Sequence, residues 1–168
     1  MPRRQVDITI FPQFRGVLSP LWLRRAVLKA LDVAAPGQAW QVSLVIADDD
    51  TVKRLNGQYR GLDEVTDVLS FSMLHQGHWE GEGQPPSADS QEPFILYHEG
   101  PQPLGEVIVS YPQTVRQAEA QGHPVQQELG LLIVHSVLHL LGYDHVEPDQ
   151  ETQMKQKEQQ ALSLLFGQ

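Results

Sequence analysis

Cysteine is absent from this sequence of 168 residues. A disulfide framework is therefore excluded, and so is any metal site built on thiolates. A metal ion in this protein would have to be held by histidine and carboxylate ligands, and the lack of cysteine fits a reducing compartment. A chain of this length can bury a sizeable core without cross-links, so we predict one domain over residues 1–168.

Long hydrophobic segments are also lacking. The N-terminal residues alternate between charged and apolar types, and the longest apolar run, around residue 130, is interrupted by two histidines. The first pattern is not that of a signal peptide, and the second is too short and too polar for a transmembrane helix. We therefore expect a cytoplasmic protein that has no membrane partner.

Basic residues are scarce, with 12 Lys and Arg against 21 Asp and Glu and a formal net charge of −9. Proteins that coat nucleic acid use Lys and Arg to neutralise phosphates, so this composition argues against that class. Half of the basic residues lie within the first thirty positions. This asymmetry is compatible with a local binding patch and equally with a solvated helix face.

Apolar periodicity and turn residues predict an alternation of strands and helices. Strands are expected at residues 5–11, 41–47, 65–72 and 104–110. Helices are expected at residues 19–35, 48–59, 112–120 and 148–166, and from about 125 to the glycine at 142.

Two further stretches need an interpretation. Residues 73–103 are rich in glycine, proline, glutamine and acids and are predicted to form a long irregular insertion, in which only residues 94–97 resemble a strand. The acidic triplet at residues 48–50 could suggest a divalent-metal site. We interpret it instead as the N-terminal turn of a helix, where carboxylates cap the backbone and are favoured by the helix dipole.

Three histidines fall within eleven residues, at His135, His139 and His145. At 3.6 residues per turn the first two share one helix face. Gly142 can end the helix in a left-handed turn and bring the third towards them. Three neutral imidazoles with an open fourth position form a catalytic zinc site, and Asp144 could fix an imidazole tautomer. The alternative is a pair of core histidines, but buried rings need partners, which a shared metal would provide.

Zinc would favour hydrolytic chemistry, because it lowers the pKa of bound water and polarises carbonyl or phosphoryl oxygens. Zinc peptidases carry glutamate directly after the first histidine as general base, but this chain has Ser136. A base would have to come from elsewhere, and Glu106, Asp67 and Asp144 are the candidates. Arg60 precedes a glycine-containing loop, where it could clamp a phosphate or be a surface residue without a role.

Three stretches together resemble one family, the YbeY endoribonucleases, over most of the chain. They are His-x3-His-x2-Gly-Tyr-Asp-His at residues 135–145, Leu-Asn-x2-Tyr-Arg-Gly at 55–61 continuing to Thr-Asp-Val-Leu-Ser-Phe at 66–71, and Leu-Gly-Glu-Val at 104–107. The resemblance implies an α+β, zincin-like single domain, in which a mixed sheet of roughly four strands packs with about five helices.

The resemblance also implies a function and its residues. The expected activity is that of a metal-dependent, single-strand-specific endoribonuclease acting in 3′-end maturation of the small-subunit (16S) ribosomal RNA and in ribosome quality control. One zinc ion would be bound by His135, His139 and His145, and Arg60 and His135 would be catalytic, with Arg60 engaging the RNA phosphate. The expected partners are the RNA precursor and the ribosome or its small-subunit proteins, but not DNA.

The sequence departs from the family pattern at three places. Ser136 stands where the family has glycine, Glu106 stands where it has aspartate, and the insertion at 73–103 is longer than expected. Two other functions stay open at this point. A zinc metalloprotease-like hydrolase is opposed by Ser136, and a non-catalytic ribosome-assembly factor would carry a structural metal closed by a fourth protein ligand.

Overall fold

The structure is a computed structural model that describes residues 3–62, 64–74, 100–143 and 147–167. Within these ranges the elements in chain order are β1 (Gln5–Ile10), α1 (Pro20–Ala34), β2 (Trp40–Ala47), α2 (Asp49–Arg60), β3 (Val68–Ser72), β4 (Gln102–Ser110), α3 (Tyr111–Gln121), α4 (Val125–Leu140) and α5 (Pro148–Phe166). A one-turn 3-10 helix, Pro12–Phe14, follows β1. The expected order of strands and helices is confirmed.

The first two helices begin at the capping residues that the sequence indicates. The hydroxyl of Ser19 accepts a hydrogen bond from the backbone N–H of Trp22 at 3.2 Å, with Pro20 in the first turn of α1. The carboxylate of Asp48 accepts from the backbone N–H of Thr51 at 2.8 Å. Asp48 therefore caps α2, and Asp49 and Asp50 lie in its first turn, as predicted for the acidic triplet.

The four strands form one mixed sheet in the order β1-β2-β4-β3. Strands β1, β2 and β4 run parallel, and β3 lies antiparallel to β4 at the edge. Strand β3 begins at Val68, three residues later than predicted, whereas β4 begins at Gln102, inside the region assigned to the insertion. Residues 75–99, which include the expected strand at 94–97, lie outside the described residues.

Helices cover both faces of the sheet. Successive residues of β4 point to opposite faces of the sheet. Val107 and Val109 belong to the main core with α1, α4 and α5, while Ile108 belongs to a smaller cluster with Val52 of α2. The histidine-bearing helix α4 and the arginine-bearing helix α2 thus lie on opposite faces. This single-domain α+β architecture is the predicted fold class. In the part of the chain that is described, no helix has the length and apolarity needed to span a membrane.

Candidate metal centre

The two histidines of α4 face one another across one helical turn. The Nε2 atoms of His135 and His139 are 3.0 Å apart, and the ring centroids are 4.5 Å apart. Two nitrogen ligands of a tetrahedral zinc ion, each at its usual bond length, are separated by about 3.3 Å. In the metal-free protein this contact is a hydrogen bond between the two rings, and an ion chelated by the pair would take the place of its proton after a small change of ring orientation.

The second nitrogen of His135 is also occupied. Its Nδ1 is hydrogen-bonded to Oε1 of Glu158, which lies on α5. When the neutral ring donates its Nδ1–H to this carboxylate, its lone pair is on Nε2. Histidines that bind metals commonly donate their other N–H to a carboxylate in this way. The donor set thus fits a metal ion, because His135 presents an unprotonated Nε2 towards His139.

Close packing of α5 against α4 brings this carboxylate to the histidine. A Cβ atom at Gly130 would lie 3.0 Å from Cζ of Phe166 and 3.3 Å from Cδ2 of Leu165, so only glycine leaves the present spacing of the helices undisturbed. Gly130 meets the C-terminal end of α5, and His135, further along α4, meets Glu158, earlier along α5. The two helices therefore run antiparallel past each other.

Glu158 is a candidate functional residue that the sequence motifs do not include. The signal was a carboxylate at helical spacing from Met154 and Ala161, both of which are buried. A carboxylate on an apolar stripe needs a partner, because burying an unpaired charge is costly. Its partner could not be identified from the sequence alone.

The predicted turn at the end of α4 is present. The helix ends at Leu140, and Gly142 has a φ of +99°, which favours glycine. The N–H of Tyr143 donates to the carbonyl of Leu138 at 3.0 Å. His145 and Asp144 lie outside the described residues. Among those that are described, no group of three or more His, Asp or Glu side chains is arranged to hold a metal, so this part contributes the histidine pair.

Arg60 is the last residue of α2 and is half-buried. Gly61 follows it in the left-handed conformation, with a φ of +70°. Asn56, only 2% exposed, donates from Nδ2 to the carbonyl of Glu64 at 3.0 Å and so ties the loop after Arg60 back to the helix. The end of α2 is therefore held by the residues that the second signature contains.

Strand β3 connects the arginine segment to the histidine helix. The ring of Tyr59, next to Arg60, packs edge-on against Phe71 with a centroid separation of 5.3 Å. The next residue, Ser72, points to the opposite face and donates from Oγ to the carbonyl of Leu140 at 2.9 Å. Neighbouring residues of one strand thus contact the two helices on which the site residues were predicted.

Two of the three carboxylates that were considered as bases, Glu106 and Asp67, lie in the described part of the chain. Glu106 is exposed on the sheet face that it shares with Ile108, opposite to the face that carries α4. Asp67 accepts from Nε2 of Gln117 at 3.1 Å, and the same nitrogen is 3.3 Å from Oε1 of Glu128. Ser136, 1% exposed, is packed into the core and does not substitute for the peptidase glutamate.

Comparison with known proteins agrees with this architecture. The family model described as "Endoribonuclease YbeY" matches residues 20–165. The chain belongs to the YbeY family. The "Endoribonuclease YbeY" of Dehalococcoides mccartyi strain CBDB1 is 39% identical over 158 residues, which cover 94% of this chain and 91% of the relative. The protein of the same name from Pelotomaculum thermopropionicum is 42% identical over 143 residues, covering 85% and 84%.

A solved structure shares the YbeY-family fold seen here. The solution structure of TM1509 from Thermotoga maritima superposes with a TM-score of 0.61 at 22% identity, covering 97% of this chain and 90% of that one. Membership of the YbeY family confirms the resemblance drawn from the three sequence stretches. The assignment of individual residues as zinc ligands or catalytic groups stays a prediction.

Proposed function

We propose that this protein is a metal-dependent endoribonuclease that cleaves single-stranded RNA at one zinc ion bound by His135, His139 and His145. The observation that carries the metal centre is the 3.0 Å separation of the two Nε2 atoms on α4. The hydrogen bond from Nδ1 of His135 to Glu158 adds to it, since it leaves Nε2 as an acceptor. Membership of the YbeY family supports the nuclease activity.

The predicted site residues would have separate roles, in binding the metal ion and in binding the phosphate. When bound, zinc would act as a Lewis acid towards the phosphodiester and favour deprotonation of the attacking hydroxyl or water. His135 and His139 would hold the ion on the half-buried side of α4. Arg60 carries a permanent charge and a planar fork of N–H donors, which suit two oxygens of one phosphate. It would stabilise the charge that develops there during cleavage.

The proposed substrate is the precursor of the small-subunit ribosomal RNA at its 3′ end, in the cytoplasm, and the proposed wider role is ribosome quality control. This part of the proposal rests on family membership. The net charge of −9 opposes long-range attraction of RNA, since backbone affinity depends on basic side chains. Binding would therefore rely on a local contact such as Arg60 and on a ribosomal or small-subunit protein that delivers the RNA.

The first test is cleavage of an end-labelled single-stranded RNA by zinc-loaded protein. His139→Ala should lose cleavage, because one of the two facing imidazoles is removed. The matched control is His123→Gln, which removes a histidine from another position and keeps an N–H donor for Glu128, to which His123 is bonded at 2.7 Å. This control should cut as the wild type does.

Three outcomes would contradict the proposal. Equal cleavage by wild type and His139→Ala would indicate a contaminating nuclease. Cleavage of an unfolded protein that is lost in His139→Ala would favour the metalloprotease. Intact RNA in every sample, also when small ribosomal subunits are supplied, would favour an assembly factor with a structural metal.

A further inference from the structure

We propose that Glu158 is a positioning residue of the metal centre, which holds His135 in the tautomer and ring orientation that direct Nε2 towards His139. This inference rests on the proposed metal site and adds a residue to it. Glu158 would touch neither the ion nor the RNA. It would act through His135 alone.

The hydrogen bond to Glu158 favours one tautomer of His135. A neutral imidazole has one N–H and one lone pair, and without a partner it exchanges between its two tautomers. In the form protonated at Nε2, His135 would direct a proton, and not a lone pair, at the position between it and His139. The carboxylate of Glu158 bonded to Nδ1 stabilises the other form. In the metal-free protein His135 can therefore accept the hydrogen bond from Nε2 of His139 and already has the tautomer that ligation requires.

The same hydrogen bond restricts the orientation of the His135 ring. The side chain of Glu158 is only 12% exposed, compared with 35% for His135, so packing restricts the carboxylate more than the ring. Leu165 and Phe166 of α5 pack closely against Gly130 of α4, and this packing fixes the position of α5 along the axis of α4. The ring of His135 is therefore oriented by a group that is itself held by the helix packing.

Burial of the Glu158 carboxylate costs free energy. A carboxylate that is largely removed from water loses hydration free energy unless its oxygens accept hydrogen bonds. Alanine or leucine would pack at this point of α5 without that cost. The acidic side chain is therefore explained by what it does to His135, and not by the stability of the helix pair.

The test measures zinc affinity by competition with a chromogenic chelator, together with the ring ¹⁵N resonances of His135 in metal-free, histidine-labelled protein. Glu158→Ala should weaken zinc binding by about 10- to 100-fold, the usual effect of losing such a partner. It should also shift His135 towards the Nε2–H tautomer. Glu158→Gln keeps an acceptor oxygen and should recover much of the affinity and the wild-type tautomer.

The matched control is Glu151→Ala. Glu151 lies on the same helix, is 46% exposed and pairs with Lys155 at 3.0 Å, so the control removes the same charge without touching His135. Its zinc affinity should stay within twofold of the wild type.

Each result has a distinct meaning. Wild-type protein that binds no zinc would overturn the metal centre and this inference with it. Wild-type zinc binding that Glu158→Ala and Glu158→Gln leave unchanged, with His135 still protonated at Nδ1, would overturn only the role of Glu158. If Glu158→Ala loses thermal stability without a change in zinc affinity or in the tautomer of His135, Glu158 only stabilises the packing of α5 on α4, and its positioning role would be overturned. If Glu158→Ala fails to fold, Glu158→Leu takes its place, because leucine fills the space on α5 and removes the acceptor; zinc affinity and tautomer unchanged in Glu158→Leu would overturn the role of Glu158.

Discussion

The hydroxyl of Ser72 donates a hydrogen bond to the carbonyl oxygen of Leu140 at 2.9 Å. Leu140 is the last residue of α4 and directly follows His139, and a carbonyl at this end of a helix has no partner within the helix. The same Oγ accepts from the N–H of Leu74 at 3.2 Å. One side chain of the edge strand thus fixes the end of the histidine helix and the chain that leaves β3.

Ser72→Ala should lower the free energy of unfolding by about 1–2 kcal/mol, because a carbonyl that is shielded from water loses its donor. Urea denaturation would measure the change. Ser70→Ala is the control, since Ser70 lies on the same strand but is exposed, and it should change stability by less than about 0.5 kcal/mol. Equal effects of the two substitutions would show that the bond to Leu140 contributes nothing.

Those parts of the structure that depend on neighbouring residues could be predicted from the sequence. The capping of α2 involves only Asp48 and Thr51, which are three positions apart. His135 and His139 share a helix face because they are one helical turn apart. Gly142 has the positive φ that its place after the helix suggested. In each case the determining contact lies within a few residues along the chain.

The contacts that span the chain could not be predicted in this way. Glu158 and His135 are 23 positions apart, and their contact depends on how closely α5 approaches α4 at Gly130. The position of Glu106 could not be foreseen either, because the face to which a strand residue points depends on register, and a one-residue shift reverses it. The β2–β4 pairing has such a register shift between Pro103 and Gly105, just before this residue.

Gly105→Ala tests the close approach of β4 to its neighbours. A Cβ atom there would lie 2.4 Å from the carbonyl oxygen of Phe71 and 2.7 Å from Cδ2 of Leu140, and the φ of +159° is one that side chains disfavour. We expect a loss of about 1–3 kcal/mol in the free energy of unfolding, the usual cost of overpacking.

Gly57→Ala is the control for this substitution. Gly57 lies inside α2, where the nearest atom to a new Cβ would be at 3.8 Å, and alanine favours the helix. Its thermal midpoint should equal or exceed that of the wild type. A Gly105→Ala protein as stable as the wild type would mean that β4 can move away from Phe71 without cost.

The pair of Asp49 and Arg116 predicts part of the acid sensitivity. The hydrogen bond from Arg116 lowers the pKa of the Asp49 carboxyl below its ordinary value of 3.8, and the hydroxyl of Ser110 acts in the same direction. Since the folded pKa is the lower one, the unfolded chain binds protons more readily. The stabilisation is therefore present above about pH 4 and is lost as the pH falls through the folded pKa.

Asp49→Asn should flatten this pH dependence, which urea midpoints at pH 7, 4 and 3 would show. The change should be small, because Arg116 is half-exposed and solvent screens the pair. Asp50→Asn removes an exposed carboxylate from the same helical turn and should leave the wild-type slope. Identical slopes in all three proteins would exclude a contribution of the Asp49 pair.

Substitution of Arg60 should affect the cleavage of RNA but not the binding of zinc. If its guanidinium binds the phosphate at the moment of cleavage, Arg60→Ala should lower the cleavage rate on the order of 10²-fold, comparable to the loss of one charge-stabilising donor elsewhere. Arg60→Lys should restore only part of this rate, because an ammonium group lacks the planar fork. Zinc affinity should be unchanged in both variants, since Arg60 lies on α2 and the histidine pair on α4.

Arg54→Ala is the matched control, because it removes an exposed arginine from the same helix. It should cut RNA like the wild type, so a general effect of net charge on RNA affinity can be separated from a local contact. Equal losses in Arg54→Ala and Arg60→Ala would assign the effect to charge alone. A loss of zinc affinity in Arg60→Ala would show instead that the end of α2, held by Asn56 and joined to β3 through Tyr59 and Phe71, supports the histidine helix across the sheet.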